Sequence, residues 1–148
     1  LAQLSVPGLK VGLRSRLEAE RGSDPDILLV DSTGELRDLY PACELVFIGK
    51  TLTGKGGQNF LEAARHGRAI VAGPHMDNFQ SLRREFLADQ AMVVSRNLEE
   101  LGSQLDRLLA SPQEREELGQ RARACFREHL GAGARHVEAL LKYLHGKV

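Results

Sequence analysis

The sequence predicts an α/β fold in which a Rossmann-like parallel sheet of about five strands is flanked by helices. Short aliphatic runs recur along the chain, and each is followed by a loop with Gly, Asp or Asn and then by a helical pattern, as in successive βα units. The runs are continuously apolar, which indicates that helices cover both faces of the sheet. The predicted strands are Leu9–Leu13, Ile27–Val30, Leu45–Ile48, Ala69–Ala72 and Met92–Ser95.

The residues after the fifth strand predict three helices. Asn97 is the predicted N-cap of the first, whose apolar stripe is Leu98, Leu101, Leu105, Leu108 and Leu109. Ser111 is the predicted N-cap of the second, because Pro112 and Glu114 occupy its first and third helical positions. The glycines at 131 and 133 predict a break before a last helix with the stripe Val137, Leu140, Leu141 and Leu144. Residues 1–148 are therefore interpreted as one domain whose helical part is 97–148.

Composition and charge exclude several classes of function. The chain has 148 residues with 20 Lys and Arg against 20 Asp and Glu, so it lacks the cationic excess that a nucleic acid polymer would require. No apolar run exceeds four residues, whereas a membrane-spanning helix needs roughly 18 to 20. Cys43 and Cys125 stand far apart among apolar residues, which argues against a disulfide framework or a zinc site.

Polar residues concentrate in three loops that follow predicted strands. These loops are Asp31 to Leu36, Gly49 to Asn59 and Gly73 to Asn78. Open parallel sheets bind ligands beyond the carboxyl ends of their strands, so the three loops are expected to line one rim. Asp31 has a simpler alternative role as the cap of the helix that follows it.

The second loop has almost the spacing of a phosphate-binding P-loop. Gly49, Gly54 and Lys55 fit G-x-x-x-x-G-K, but Gly56 stands where the hydroxyl that binds Mg²⁺ is needed, which argues against an NTPase. Gly56 and Gly57 would still let the backbone approach a ligand, and the first N–H groups of the next helix suit an anion. The alternative is a structural turn that binds nothing.

A helix predicted over residues 59–66 places Asn59 and Glu62 on one face, toward the rim. The Glu62 carboxylate would there accept hydrogen bonds from sugar hydroxyls. Its alternative role is to face the positive end of the helix dipole.

The three loops together resemble the motifs of one family. Asp31 to Leu36 with Tyr40, Gly56 to Glu62, and Gly73 to Phe79 follow the patterns D-T-x-G-E-L, G-G-H-N-x-L-E-P and G-P-H-x-x-N-F in the same order. These patterns are typical of the carboxyl-terminal domain of 3-deoxy-D-manno-octulosonic acid (Kdo) transferases. The resemblance extends from about Val6 to Leu144.

This resemblance implies an inverting glycosyltransferase of GT-B fold that moves Kdo from CMP-Kdo to a lipid A precursor in lipopolysaccharide biosynthesis. The enzyme would act at the cytoplasmic face of the bacterial inner membrane, and its carboxyl-terminal half would bind CMP-Kdo without a metal or other cofactor. Residues carried over from the motifs as donor contacts are Ser32, Thr33, Gly34, Glu35, Gly56, Gly57, Gln58, Asn59, Phe60, Leu61 and Glu62, with His75 and Asn78 as further candidates.

The sequence departs from the family pattern at three positions and lacks two segments. Gln58 stands where the family has His, Phe60 where it has Pro or Leu, and Ala63 where it has Pro. The S-T-H and P-R-H-P-E-R segments are absent, and the chain begins at Leu1, so it is interpreted as a CMP-Kdo binding domain truncated at its amino-terminal side.

Those two segments would belong to the first strands of this same domain, and the parent enzyme would also have a whole amino-terminal domain that this chain lacks. The resemblance places the acceptor site, the catalytic base and the membrane-association segment there, so no catalytic residue is assigned in this chain. The fragment is expected to be soluble, inactive alone and able to form a homodimer through surfaces that the other domain would cover. Two alternatives stay open: a GT-B domain that uses a UDP-sugar, and a non-catalytic α/β interaction module.

Overall fold

The computed structural model describes the backbone of residues 7–17, 24–54 and 56–145, and side chains as far as Leu130. The chain divides into two compact units, Leu1–Leu39 and Tyr40–Val148. Every strand lies within its predicted run, and all strand pairs are parallel. The strands are β1 (Val11–Leu13) and β2 (Ile27–Leu29) in the first unit, and β3 (Leu45–Ile48), β4 (Ala69–Ala72) and β5 (Val93–Val94) in the second.

The first unit is built on the pair β1 and β2. A 3₁₀ turn at Arg14–Arg16 follows β1, and the short helix α1 (Leu36–Leu39) comes after β2. The capping role considered for Asp31 is wrong, because its carboxylate accepts hydrogen bonds from the Ser15 N–H at 3.0 Å and the Ser15 hydroxyl at 2.7 Å. Asp31 therefore connects the segment after β2 to the 3₁₀ turn after β1, whereas α1 begins only at Leu36.

The second unit is organised around β4, which lies between β3 and β5. All four residues of β4 are buried, since its side chains alternate between two apolar clusters. Ile70 and Ala72 join a cluster with Phe60 and Phe86, whereas Ala69 and Val71 join one with leucines of the carboxyl-terminal helices. The predicted coverage of both sheet faces is confirmed for this strand.

The helices of the second unit are α2 (Leu61–Arg65), α3 (Gln80–Ala88), α4 (Leu98–Ala110) and α5 (Pro112–His145). Both predicted caps are confirmed. The Asn97 side chain accepts from the Glu100 N–H at 2.8 Å, and the Ser111 hydroxyl accepts from the Glu114 N–H at 3.3 Å. The stripe of α4 is narrower than predicted, because Leu98 is 73% exposed and Leu109 is 56% exposed.

The predicted break at Gly131 to Gly133 is wrong, because α5 continues through these residues to His145. Each glycine destabilises a helix by about 1 kcal/mol relative to alanine. Unlike proline, however, glycine keeps its backbone N–H and the helical hydrogen bond that this group donates. Helix-favouring alanines at 132 and 134 accompany the glycines. The side chains of the stripe predicted for a last helix lie outside the described residues. In the described ranges, no helix combines the length and hydropathy that crossing a bilayer demands.

Candidate functional site

Two of the three predicted loops meet at the carboxyl ends of β3 and β4. The fully buried Thr51 hydroxyl donates to the Ile48 carbonyl at 2.5 Å and accepts from the Gly73 N–H at 2.6 Å. The His75 N–H donates to the Thr51 carbonyl at 2.9 Å. A Cβ at Gly73 would lie 2.2 Å from that carbonyl oxygen, so only glycine fits there. This role of Thr51 was not predictable from the sequence, because a threonine three residues after a strand carries no specific signal.

The glycine turn of the second loop packs against the third loop. Gly56 has φ +103° and Gly57 has φ +61°, both in the left-handed region that favours glycine. A Cβ at Gly56 would lie 3.0 Å from Asn78 Nδ2, and one at Gly57 would lie 3.3 Å from the His75 carbonyl oxygen. These glycines therefore allow the second loop to pack closely against the third loop, whereas the sequence predicted a close approach to a ligand. Lys55, part of the P-loop-like spacing, lies outside the described residues.

Of the residues after this turn, Asn59 is exposed, whereas Phe60 belongs to the core. The predicted helix at 59–66 is shorter in the structure, where α2 begins at Leu61. Asn59 Oδ1 accepts from the Leu61 N–H at 3.0 Å, which occupies one donor of the helix start. The Phe60 ring is fully buried, with edge contacts to Phe79 at 5.8 Å and Phe86 at 4.9 Å between ring centres. The Phe60 side chain is thus a core group, and Leu61 packs partly against the same core.

Glu62, in the first turn of α2, carries a buried oxygen without a donor. The Oε2 atom is inaccessible to solvent and accepts no hydrogen bond from the described residues. Burial raises the pKa of the Tyr40 phenol, and the charges of Glu62 and Cys43 add to this effect. Because a buried acceptor without a partner costs about 1 to 3 kcal/mol, a hydroxyl donor from a ligand would be stabilised there.

The first loop, within the first unit, uses its polar side chains internally. Glu35 Oε2 accepts from the Ser32 hydroxyl at 2.9 Å and lies 3.0 Å from Arg14 Nε. Gly34 has φ +93° with open space around it, and Thr33 is exposed. The nucleotide contacts predicted for residues 32–35 stay predictions.

The remaining candidates lie on the surface of the second unit. Gln58, His75 and Asn78 are exposed. Within the described part of the chain, no group of three or more His, Cys, Asp or Glu residues is arranged to hold a metal ion.

Several known proteins that are similar to this chain carry the same name. No family model matches the sequence. A 3-deoxy-D-manno-octulosonic acid transferase of Bordetella pertussis is 34% identical over 143 residues, which are 97% of this chain and 33% of that protein. The crystal structure of the C-terminal CMP-Kdo binding domain of WaaA from Acinetobacter baumannii matches with a TM-score of 0.69 at 28% identity, over 79% of this chain and 61% of that one. This chain belongs to the Kdo transferase family.

Other relatives agree with this assignment. The transferase of the same name from Haemophilus influenzae is 31% identical over 123 residues, which are 82% of this chain and 29% of that protein. The chain therefore spans about a third of the length of the curated Kdo transferases that it matches. The predicted α/β fold, from the carboxyl-terminal half of a GT-B Kdo transferase, is confirmed.

Proposed function

We propose that this chain is the donor-binding part of a Kdo transferase and that it holds the nucleotide of CMP-Kdo beside the Gly56 and Gly57 turn and the start of α2. The observation that carries this proposal is the buried Glu62 Oε2 atom, which has no donor among the described residues. Structural similarity to a CMP-Kdo binding domain supports the same ligand.

Glu62 would act as an acceptor for the ribose. An ionised carboxylate only accepts hydrogen bonds, and a ribose hydroxyl supplies the donor that Oε2 lacks. A hydrogen bond to a charged group contributes about 1.5 to 3 kcal/mol. Phe60, held by two aromatic contacts in the core, and Asn59, which closes the turn before α2, fix the position from which Glu62 extends.

The reaction of the whole protein is part of the same proposal. The parent enzyme would transfer Kdo from CMP-Kdo to a lipid A precursor at the cytoplasmic face of the inner membrane, with its acceptor site, general base and membrane-association segment outside these 148 residues. Relative placement of the reacting groups provides much of the acceleration in a two-domain cleft. The chain alone is therefore expected to bind the donor without transferring Kdo. Sedimentation velocity of the 148-residue chain tests whether it also forms the expected homodimer.

Thermal-shift measurements with CMP and with UDP at equal concentration test the proposal. CMP should raise the melting temperature, because a ligand that binds only the folded state at 100 times its Kd stabilises by about 2.7 kcal/mol. The double variant Asn59→Ala with Glu62→Ala should lose this response and keep its ligand-free melting temperature within a few degrees. Asp106→Ala removes an exposed carboxylate on α4 and serves as the matched control.

The alternatives predict different responses. Stabilisation by UDP and not by CMP would replace the proposed donor by a UDP-sugar. A response to neither nucleotide would favour the non-catalytic interaction module.

A further inference from the structure

A cavity of about 290 Å³ lies beside the third loop and the first half of α3. Its walls are Pro74, Met76, Asp77, Gln80, Arg83 and Arg84. A water molecule occupies about 30 Å³ of liquid volume, so this space suits a molecule the size of a monosaccharide rather than a single ion. None of the residues predicted to contact the nucleotide lines it.

The cavity shares a wall with the glycine turn. A Cβ at Gly57 would lie 3.4 Å from Met76 Cα, and the Gly56 N–H points at the Asp77 carboxylate at 3.4 Å. A ligand that occupied both the turn and the cavity would therefore bridge them over a short distance.

The arginines give the cavity its chemical character. Arg83 is half-buried, and its Nε–H group is buried without an acceptor among the described residues. Within that same part of the chain, neither Arg83 nor Arg84 forms an ion pair. A guanidinium stays protonated in a protein, so Arg83 cannot relieve this burial by losing its charge. Among the lining residues that the structure describes, Asp77 is the single acidic one beside two arginines, which gives an excess of positive charge.

We propose that this cavity binds a sugar acid, with its carboxylate on Arg83 and Arg84. Guanidinium and carboxylate groups match each other through two parallel hydrogen bonds, which supply the acceptor that Arg83 Nε lacks. Asp77 and Gln80 provide acceptors and donors for sugar hydroxyls, and Pro74 and Met76 provide an apolar face. The identification of this sugar acid as the Kdo group of CMP-Kdo rests on the function proposed above.

Titrations of the 148-residue chain, followed by NMR, test the cavity with three probes: free Kdo, inorganic phosphate and neutral mannose. Kdo should shift the amide signals of Asp77 and Gln80 in a saturable way, whereas mannose should not. Arg83→Gln should weaken Kdo binding at least tenfold, and Arg84→Gln should weaken it less because Arg84 is exposed. Arg127→Gln, on an exposed part of α5, should leave the affinity unchanged.

A second variant of Arg83 distinguishes a loss of binding from a loss of the fold. Arg83→Lys keeps the charge but loses the planar fork, so it should fold and still bind Kdo several-fold more weakly. An absent Kdo response, or one that survives in both Arg83 variants, would overturn the proposal. Saturable binding of phosphate without binding of Kdo would overturn it as well, since the site would then recognise a phosphate.

CMP added to the same samples separates the two proposals. CMP binding without a Kdo response rejects the cavity assignment alone. A Kdo response that depends on Arg83, without CMP binding, rejects the nucleotide proposal and leaves a sugar-acid site.

Discussion

Glu35 and Glu62 are both predicted to meet a nucleotide, yet the structure treats their carboxylates differently. Glu35 Oε2 already accepts from Ser32 and pairs with Arg14 within the first unit. Glu62 Oε2 is buried in the second unit without a donor in the described chain. A carboxylate with internal partners must give up their hydrogen bonds when it binds a ligand, whereas a carboxylate without partners only gains hydrogen bonds from the ligand. We therefore expect Glu62 to contribute more to ligand binding than Glu35 does.

The loops that carry these residues are also held in different ways. Surface side chains hold the first loop, through the Ser15 bonds to Asp31 and the Arg14 pair with Glu35. Buried backbone groups and the Thr51 hydroxyl hold the second and third loops. Exposed ion pairs contribute about 0 to 1 kcal/mol, whereas a buried group left without its partner costs about 1 to 3 kcal/mol. The loops of the second unit are thus held by the more strongly stabilising contacts.

Two glycine substitutions test this difference with the largest expected effect. Gly73→Ala places a methyl group 2.2 Å from the Thr51 carbonyl oxygen, and such overpacking should cost about 3 kcal/mol or more. The melting temperature should then fall by roughly 6 to 12 °C. Gly34→Ala meets no atom within 4 Å, so it should cost only about 1 to 2 kcal/mol for its left-handed backbone. Equal losses in thermal unfolding would contradict the comparison.

Removal of one hydroxyl from each loop should have a smaller effect. Thr51→Val leaves the buried Gly73 N–H without its acceptor and should cost about 1 to 3 kcal/mol. Ser32→Ala removes an exposed bond to Glu35 and should change stability by less than about 0.5 kcal/mol. Urea unfolding of the two variants measures both values. A larger loss of unfolding free energy for Ser32→Ala than for Thr51→Val would contradict this difference between the loops.

Acid should break the hydrogen bonds between Ser15 and the Asp31 carboxylate in the first loop, whereas the bond from the Gly73 N–H to the Thr51 hydroxyl contains no group that acid can protonate in this range. The Ser15 hydroxyl, and then the Ser15 N–H, hold the pKa of Asp31 below its ordinary value. A lowered carboxyl pKa gives stability that is present above the unfolded pKa and is lost as pH falls through the folded pKa. The Ser15 amide signal in NMR should therefore titrate with a midpoint below the ordinary Asp value, while the Gly73 amide stays unchanged in that range. A midpoint at or above the ordinary value would show that the bonds to Ser15 are absent in solution.

Local signals in the sequence predict much of this fold. The bounds of β3 and β4 agree with the predicted runs, and Asn97 and Ser111 cap their helices, because these features depend on neighbouring residues. The break predicted at Gly131 failed because a glycine only weakens a helix, and its flanking residues favour helical structure.

The site was harder to predict because its decisive features are contacts between distant residues. Position in a motif cannot tell that Glu35 pairs with Arg14, while Glu62 Oε2 has no donor among the residues that the structure describes. The burial of the side chains distinguishes the three positions at which the sequence departs from the family pattern. Phe60 and Ala63 are fully buried, so they concern packing of the core, whereas Gln58 is exposed and can change contacts with a ligand.

Calorimetric titration of CMP into Glu62→Gln and Glu35→Gln tests the central claim most directly. Both variants remove one negative charge and keep the size of the side chain. Glu62→Gln should weaken CMP binding at least tenfold, which corresponds to about 1.4 kcal/mol, and should leave the melting temperature of the free chain unchanged or higher. Glu35→Gln should change the affinity by no more than about twofold, or 0.4 kcal/mol. Equal affinities for the wild-type chain and Glu62→Gln, or a larger loss for Glu35→Gln, would contradict the assignment of the nucleotide to Glu62.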